Sequence, residues 1–156
     1  MNYGTRGLQI LKNMKNIRIF CDENSINFKS LKPLKNDASK RRYYRFTNNN
    51  KEFLLMDSSL EIDSLKRFIE ISKWLKSNHL SSPEIYIKDE KSGILIIEDF
   101  GNTKYSLLCK KEKEKKKFYY RQAINLLILL SEKKKPGFIQ DYNHHILNDE
   151  LDLYIK

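Results

Sequence analysis

The sequence predicts an α+β fold: a five-stranded antiparallel sheet with one long helix inserted after its third strand, then helices only. Three observations carry this. Two strand-like stretches, residues 42–47 and 52–57, are joined by Asn48, Asn49 and Asn50, the spacing of a hairpin. Ile62, Leu65, Phe68, Ile69, Ser72 and Leu75 then repeat at helical intervals. Beyond Gly101 strand character gives way to helical character.

Taken in order, residues 1–13 (MNYGTRGLQILKN) have no clear partner in the rest of the chain, and Met14 opens a more coherent run that could be the true start. Residues 17–24 form a short helix with Ile17, Phe20 and Cys21 on one side. Phe28, Leu31 and Leu34 mark a first strand, which Pro33 confines to a sheet edge. Asn36 and Asp37 are turn chemistry. Residues 42–47 have the aromatic and β-branched character of a strand, and residues 52–57, with FLLM inside, read as a largely buried one. Ser58 and Glu61 have the spacing of a capping box, so the long helix is expected over 59–77. Ile85 and Ile87 alternate with Tyr86 and Lys88 as a fourth strand, and DEKSG returns the chain into GILIIEDF, apolar enough to be central. Residues 111–132 carry Phe118, Ala123, Leu126, Leu127 and Leu130 as an apolar stripe, and Pro136 and Gly137 break that helix. A last helix begins near Asn148, where Asp149 and Glu150 favour its N-terminus.

A length of 156 residues suits about one domain, large enough to bury a core without disulfides or a structural metal. Hydrophobic residues at 40% and charged ones at 32% exclude a disordered chain. Cys21 and Cys109 lack redox or metal-ligand spacing and read as reduced thiols of a cytoplasmic protein. No stretch approaches the roughly 18 apolar residues of a membrane span, and the first twenty residues lack the pattern of a signal peptide. The net charge of +10 suits a polyanionic partner, whether nucleic acid, a membrane surface or a phosphorylated ligand. Much of it sits in lysine runs at 110–111, 115–117 and 133–135, the usual make-up of a solvated face. A basic nucleic-acid-binding module is therefore one reading, but no recognisable reader motif accompanies the charge.

Two motifs carry a sharper reading. LKNDASKRRYYRF followed by EFLLMDS resembles the nucleotide-binding hairpin of the aminoglycoside-phosphotransferase family, whose fold is protein-kinase-like. That family's text is GDAS-x-RRY-aromatic-R and then an LMDAP-like strand. SGILIIEDFGNTKY is similar to its fifth strand and hinge, and EIDSLKRFIEISKWLKSNHLSSPEIY matches in spacing and helix position. The resemblance covers roughly residues 28–156 and is nearest the bacterial kinases that phosphorylate the anomeric hydroxyl of N-acetylmuramate and N-acetylglucosamine in peptidoglycan recycling. It implies an N-terminal extension over 1–25, a nucleotide-binding N-lobe over 26–101 and the helical start of a C-lobe over 102–156. It also implies ATP and Mg²⁺ as cofactors, and a sugar or amino-alcohol as substrate. Aminoglycoside, choline or homoserine kinases of the same superfamily are alternatives, as is a non-catalytic interaction module.

Phosphoryl transfer needs positioned phosphates, neutralised charge and an oriented nucleophile. Asn36, Asp37, Ala38 and Ser39 supply the first, because small turn residues let backbone N–H groups approach phosphate oxygens. Asn36 stands where the family has Gly, and asparagine also tolerates positive φ. On the next strand Arg41, Tyr43 and Arg45 share one face, while Arg42, Tyr44 and Phe46 share the other. The sequence does not decide which set faces the nucleotide. The lysine that protein kinases carry on the third strand is absent, since EFLLMDS offers Met56 or Asp57, so a second-strand arginine is expected to replace its charge. Glu98, Asp99 and Phe100 form the implied hinge against the adenine edge, and Glu61 and Glu70 are candidates for the helix carboxylate that pairs with a phosphate-binding cation. Glu61 is better explained as a cap, and His79 as a favourable group at a helix end. His144 and His145 invite a metal reading, but adjacent side chains diverge and no third ligand is near. Neither the H-x-D-x-x-x-x-N catalytic loop nor a D-x-D segment occurs, so these 156 residues are expected to be inactive alone.

Overall fold

The computed structural model describes residues 3–35 and 40–152. The chain divides into two compact units, the first running to Thr103 and the second beginning at Lys104.

The hairpin is the centre of the first unit. β2 (Arg42–Asn48) and β3 (Lys51–Asp57) pair antiparallel in unbroken register from Arg42↔Asp57 to Asn48↔Lys51. Asn49 and Asn50 close it at φ of 49° and 61°, the left-handed pair whose twist matches that of the flanking strands. Asn48 therefore ends β2 instead of sharing the turn. β5 (Ile94–Glu98) lies beside β3, with β4 (Ile85–Asp89) outside it and β1 (Lys32–Pro33) at the opposite edge. The described residues thus form a five-stranded antiparallel sheet in the order β1-β2-β3-β5-β4. Ile94, Leu95, Ile96 and Ile97 are all buried, as a central strand requires. The expected first strand is cut short. Phe28 lies in a 3₁₀ turn (Phe28–Ser30) whose Asn27 side chain accepts the Lys29 N–H, and Pro33 has no N–H to extend a ladder.

Because successive residues of a strand point to opposite faces, each apolar strand feeds two cores. Phe46, Leu55, Ile94 and Ile96 pack on one face against Ile17, Phe20 and Cys21 of α1 (Tyr3–Glu23). Met56, Leu95 and Ile97 pack on the other against Leu65 and Ile69 of α2 (Ile62–Ser77). The expected side of α1 is therefore right, but the helix is 21 residues long and starts well before residue 17. Once the 17–21 segment is docked, each residue added to an existing helix needs no new nucleation.

The start of α2 differs from the capping-box expectation. The helix begins at Ile62, the Glu61 side chain makes no cap, and Ser58 Oγ is buried without a partner. Instead, the Asp57 carboxylate accepts the Ser59 N–H at 2.9 Å and the Ser58 carbonyl accepts the Glu61 N–H at 2.8 Å, so a turn precedes the helix. At its other end His79 is left-handed at φ 58°, with its N–H on the Lys76 carbonyl and the Leu80 N–H on that of Leu75. This is a Schellman closure. Ser72, buried in α2, bonds Ser82 at 2.7 Å and so fixes the connection that leads to β4.

The second unit is helical: α3 (Tyr105–Lys111), a 3₁₀ turn (Lys113–Lys115), α4 (Lys116–Ser131) and α5 (His144–Asp152). The single helix expected over 111–132 is broken because Glu112 caps off α3 and its carboxylate gathers Lys115 and Tyr119, at 2.8 and 2.9 Å. α4 ends at Ser131, ahead of Pro136 and Gly137. α5 begins at His144 and not near Asn148, because the Asn143 carboxamide accepts the His145 and Ile146 N–H groups. None of the described residues from 104 to 152 is buried, and Phe118, Leu126 and Leu127 of the expected stripe are exposed. No helix among the described residues is long and apolar enough to cross a membrane.

Cys21 is fully buried, and burial followed by the nearby Asp22 charge pushes its thiol from 9.0 up to about 11. The folded state holds this proton more tightly than the unfolded one. Its stabilisation is complete below the unfolded value and is lost as pH rises through about 11. Native protein at pH 8 should therefore react with a thiol reagent at the partly exposed Cys109 only, and at both cysteines in denaturant. Native labelling of Cys21, read by mass spectrometry, would contradict this packing.

Candidate functional site

β2 presents its arginines to different surroundings. Tyr44 and Phe46 join the core under α1, which places Arg42 on that same face, beside the Tyr44 hydroxyl. Tyr43 packs with the α2 core, so Arg41 and Arg45 lie on the α2 face. Arg41 is held to α2: its Nη2 donates to Ser64 Oγ at 2.6 Å and to the Ser64 carbonyl at 3.3 Å, and its guanidinium lies 5.5 Å from the Phe68 ring centre. Ser64 was not visible as a site residue in the sequence, being a small polar residue on a helix flank.

Arg45 reaches across to the end of β5. Its Nε and Nη2 grip both carboxylate oxygens of Asp99, the Nη2–Oδ1 distance being 3.0 Å. Its Nη1 and Nη2 also donate to Asn102 Oδ1, each at 3.2 Å. The Asp99 side chain is 1% exposed, and its Oδ1 accepts the Gly101 N–H at 2.7 Å, with Gly101 at φ 75°. Burial raises the Asp99 pKa, but the Arg45 hydrogen bond, the Gly101 N–H and the Arg45 charge outweigh it and hold the carboxyl below its ordinary range.

The rest of the implied hinge is more open. Glu98 is the last residue of β5; its N–H donates to the Glu84 carbonyl at 2.8 Å and its carboxylate accepts the Glu84 N–H at 3.1 Å. Phe100 lies beyond the strand and is 58% exposed. Asn36, Asp37, Ala38 and Ser39 lie outside the described residues. On β3, where a kinase lysine would stand, Met56 and Asp57 are both buried. Glu70 is exposed, and Glu61 pairs with Lys40 at 3.6 Å across the surface, an ion pair worth about 0–1 kcal/mol in stability. In the second unit the His145 side chain lies 3.8 Å from the Asp149 carboxylate.

The site as built is the face of the sheet flanked by α2, on which Arg45 of β2 is tied to Asp99 and Asn102 after β5. Asp99 and Arg45 were each candidates in the sequence, whereas their mutual bond, across 54 positions, left no local signal. A separate cavity of about 260 Å³, lined by Phe46, Phe53, Tyr86 and Lys51, lies on the opposite, α1 face.

No family model matches the chain. Two curated proteins are similar to part of it. The N-acetylmuramate/N-acetylglucosamine kinase of Pseudomonas aeruginosa is 27% identical over 73 residues, which is 47% of this chain and 22% of the relative. The protein of the same name from Pseudomonas putida is 32% identical over 76 residues, or 49% of this chain and 22% of the relative. The match thus spans about half of this chain and 22% of the length of each relative, a partial likeness to kinases.

Proposed function

We propose that the first unit is the ATP-binding part of a small-molecule phosphotransferase, which moves the γ-phosphate of ATP to a sugar hydroxyl, with cell-wall amino sugars as the substrate class. One observation carries the reading: the Arg41 and Arg45 side of β2 and the segment following β5 meet on the α2 face of the sheet. The partial likeness to two amino-sugar kinases supports it and suggests the substrate class.

In this reading the adenine edge lies along the backbone from Glu98, the last paired residue of β5, through Asp99 and Phe100. The phosphates meet the turn of Asn36, Asp37, Ala38 and Ser39, with Arg41 at its exit, on the α2 face, supplying charge. Arginine suits this task, because its planar fork can pair two phosphate oxygens at once. Residues 26–101 would then act as the nucleotide lobe and 102–156 as the start of a substrate lobe. The catalytic aspartate implied by the family resemblance would come from outside these residues. Among the described residues no group of three His, Cys, Asp or Glu side chains could hold a metal.

The test is calorimetric titration of the 156-residue chain with Mg-ATP and with adenosine. Mg-ATP should bind, and Ser39→Ala combined with Arg41→Ala should weaken it about tenfold or more while leaving adenosine nearly unaffected, as expected for lost charge-assisted bonds to phosphate. Absence of binding to either ligand would sink the reading. Binding to duplex DNA that collapses between low and physiological salt, with ATP ignored, would replace it by the nucleic-acid module that the +10 charge suggests.

A further inference from the structure

We infer that Arg45 is a positioning residue: it acts on the nucleotide through the buried Asp99, by fixing the backbone after β5, and not by binding phosphate itself. The inference rests on the nucleotide reading above and deepens it.

The first argument is donor supply. A guanidinium has five N–H groups in a fixed fork. Here Nε and Nη2 serve Asp99, and Nη1 and Nη2 serve Asn102, so both edges available for paired donation are occupied. A phosphate could claim the Nε–Nη2 edge only by displacing the Asp99 carboxylate, and the Nη1–Nη2 edge only by displacing Asn102 and then sharing the guanidinium with that carboxylate. That carboxylate is 1% exposed, and a buried charge stripped of its partner is strongly unfavourable.

The second argument is what the pair holds. Asp99 is the first residue beyond β5, and Gly101 and Asn102 come soon after it. Asp99 Oδ1 fixes the Gly101 N–H, and Arg45 fixes the Asn102 side chain. Three of the four residues from 99 to 102 are thereby tied to one guanidinium anchored on β2. Phe100, between them, has its side chain in solvent. A different bond, Glu98 to the Glu84 backbone, fixes the end of the strand and not the residues beyond it. A base-binding edge needs its N–H and C=O groups held still before the ligand arrives. The Arg45–Asp99–Asn102 cluster does this for a segment that is no longer in the sheet.

The experiment compares ATP with adenosine on Arg45→Gln, Asp99→Asn and the double variant, alongside amide hydrogen exchange of the ligand-free proteins. Positioning predicts that each single variant weakens ATP and adenosine by the same factor, about five- to tenfold. The double variant should be no worse than the worse single one, because both break the same device. Exchange at Gly101 and Asn102 should quicken in all three. Asn102→Ala, which removes an exposed acceptor and keeps Asp99 paired, should show a smaller effect of the same kind if Arg45→Gln fails to fold. If the Arg45 and Asn102 variants lose ATP affinity but keep adenosine affinity, or leave exchange at residues 101 and 102 unchanged, the positioning role is overturned while the nucleotide reading stands. A parent chain that binds neither ligand overturns both.

Discussion

A chain truncated to residues 26–156 should not fold cooperatively, whereas one beginning at Met14 should. α1 supplies Ile17, Phe20 and Cys21, exposed by 1%, 3% and 0%, to one of the two cores of the sheet. Fully burying an aliphatic or aromatic side chain of this size stabilises by about 1.5–3 kcal/mol. Losing the set also uncovers Phe46, Leu55, Ile94 and Ile96 on the sheet. The sum rivals the roughly 5–15 kcal/mol that keeps an ordinary domain folded. Met14 is itself packed against this core, and a chain starting there retains every buried apolar residue described on α1. It loses buried Asn13, an effect of about 1 kcal/mol. Urea denaturation followed by tryptophan fluorescence checks both, Trp74 on α2 being the reporter. A sharp transition in the 26–156 chain at the parent's midpoint would mean that α1 is an appendage.

This dependence marks where sequence reading stopped. Ile17, Phe20 and Cys21 were legible as one side of a helix, because i, i+3 and i+4 spacing declares a face. That the helix runs from Tyr3 and closes a second core was not, since residues 1–13 carry no strong periodicity. The sheet was read nearly whole, because the Asn-rich turn, the alternation at Ile85 and Ile87 and the apolar run at 94–97 are local signals. The misread start of α2 has a physical cause too: Ser58 and Glu61 fit the capping spacing, but the two donors a capping box needs are taken by main-chain carbonyls, the Ser58 N–H by Gly93 and the Glu61 N–H by Ser58. Nothing in a linear pattern reports that competition.

The candidate residues carry sequence signals one by one, but their connections do not. Spacing separated Arg41 and Arg45 from Arg42 but left open which set matters, because both sides of β2 carry aromatic residues. Only the packing of Tyr44 and Phe46 under α1 and of Tyr43 with the α2 core assigns the faces. The same packing gives Arg41 and Arg45 fixed partners in Ser64 and Asp99, which composition cannot foresee. The helices beyond residue 104 were read as helices with an apolar stripe, but that stripe has no core beneath it among the described residues.

Gly93→Ala should destabilise the first unit by about 3 kcal/mol, from backbone strain and overpacking together. Gly93 sits at φ 78° in the turn between β4 and β5, a conformation other residues rarely adopt. A Cβ there would come within 2.8 Å of Ile62 Cδ1, 2.8 Å of Ser59 Cα and 2.9 Å of Ser59 N. The Ile62 side chain could give way, but the Ser59 backbone is pinned. Its N–H bonds Asp57, and the neighbouring Ser58 N–H bonds the Gly93 carbonyl itself at 2.8 Å. Gly101→Ala supplies the control: φ is similar, 75°, but nothing lies within 4 Å of the added carbon. It should cost only the conformational share, about 1–2 kcal/mol. The difference between the two midpoints in urea therefore measures the contact of the β4–β5 turn with the start of α2. Adding Ile62→Ala to Gly93→Ala removes one of the three clashes and should rescue only part of the loss. Equal destabilisation by Gly93→Ala and Gly101→Ala would mean that α2 is not seated on this turn. The bond from Arg41 to Ser64 makes that seating relevant to the site, since α2 carries Ser64 two residues beyond Ile62.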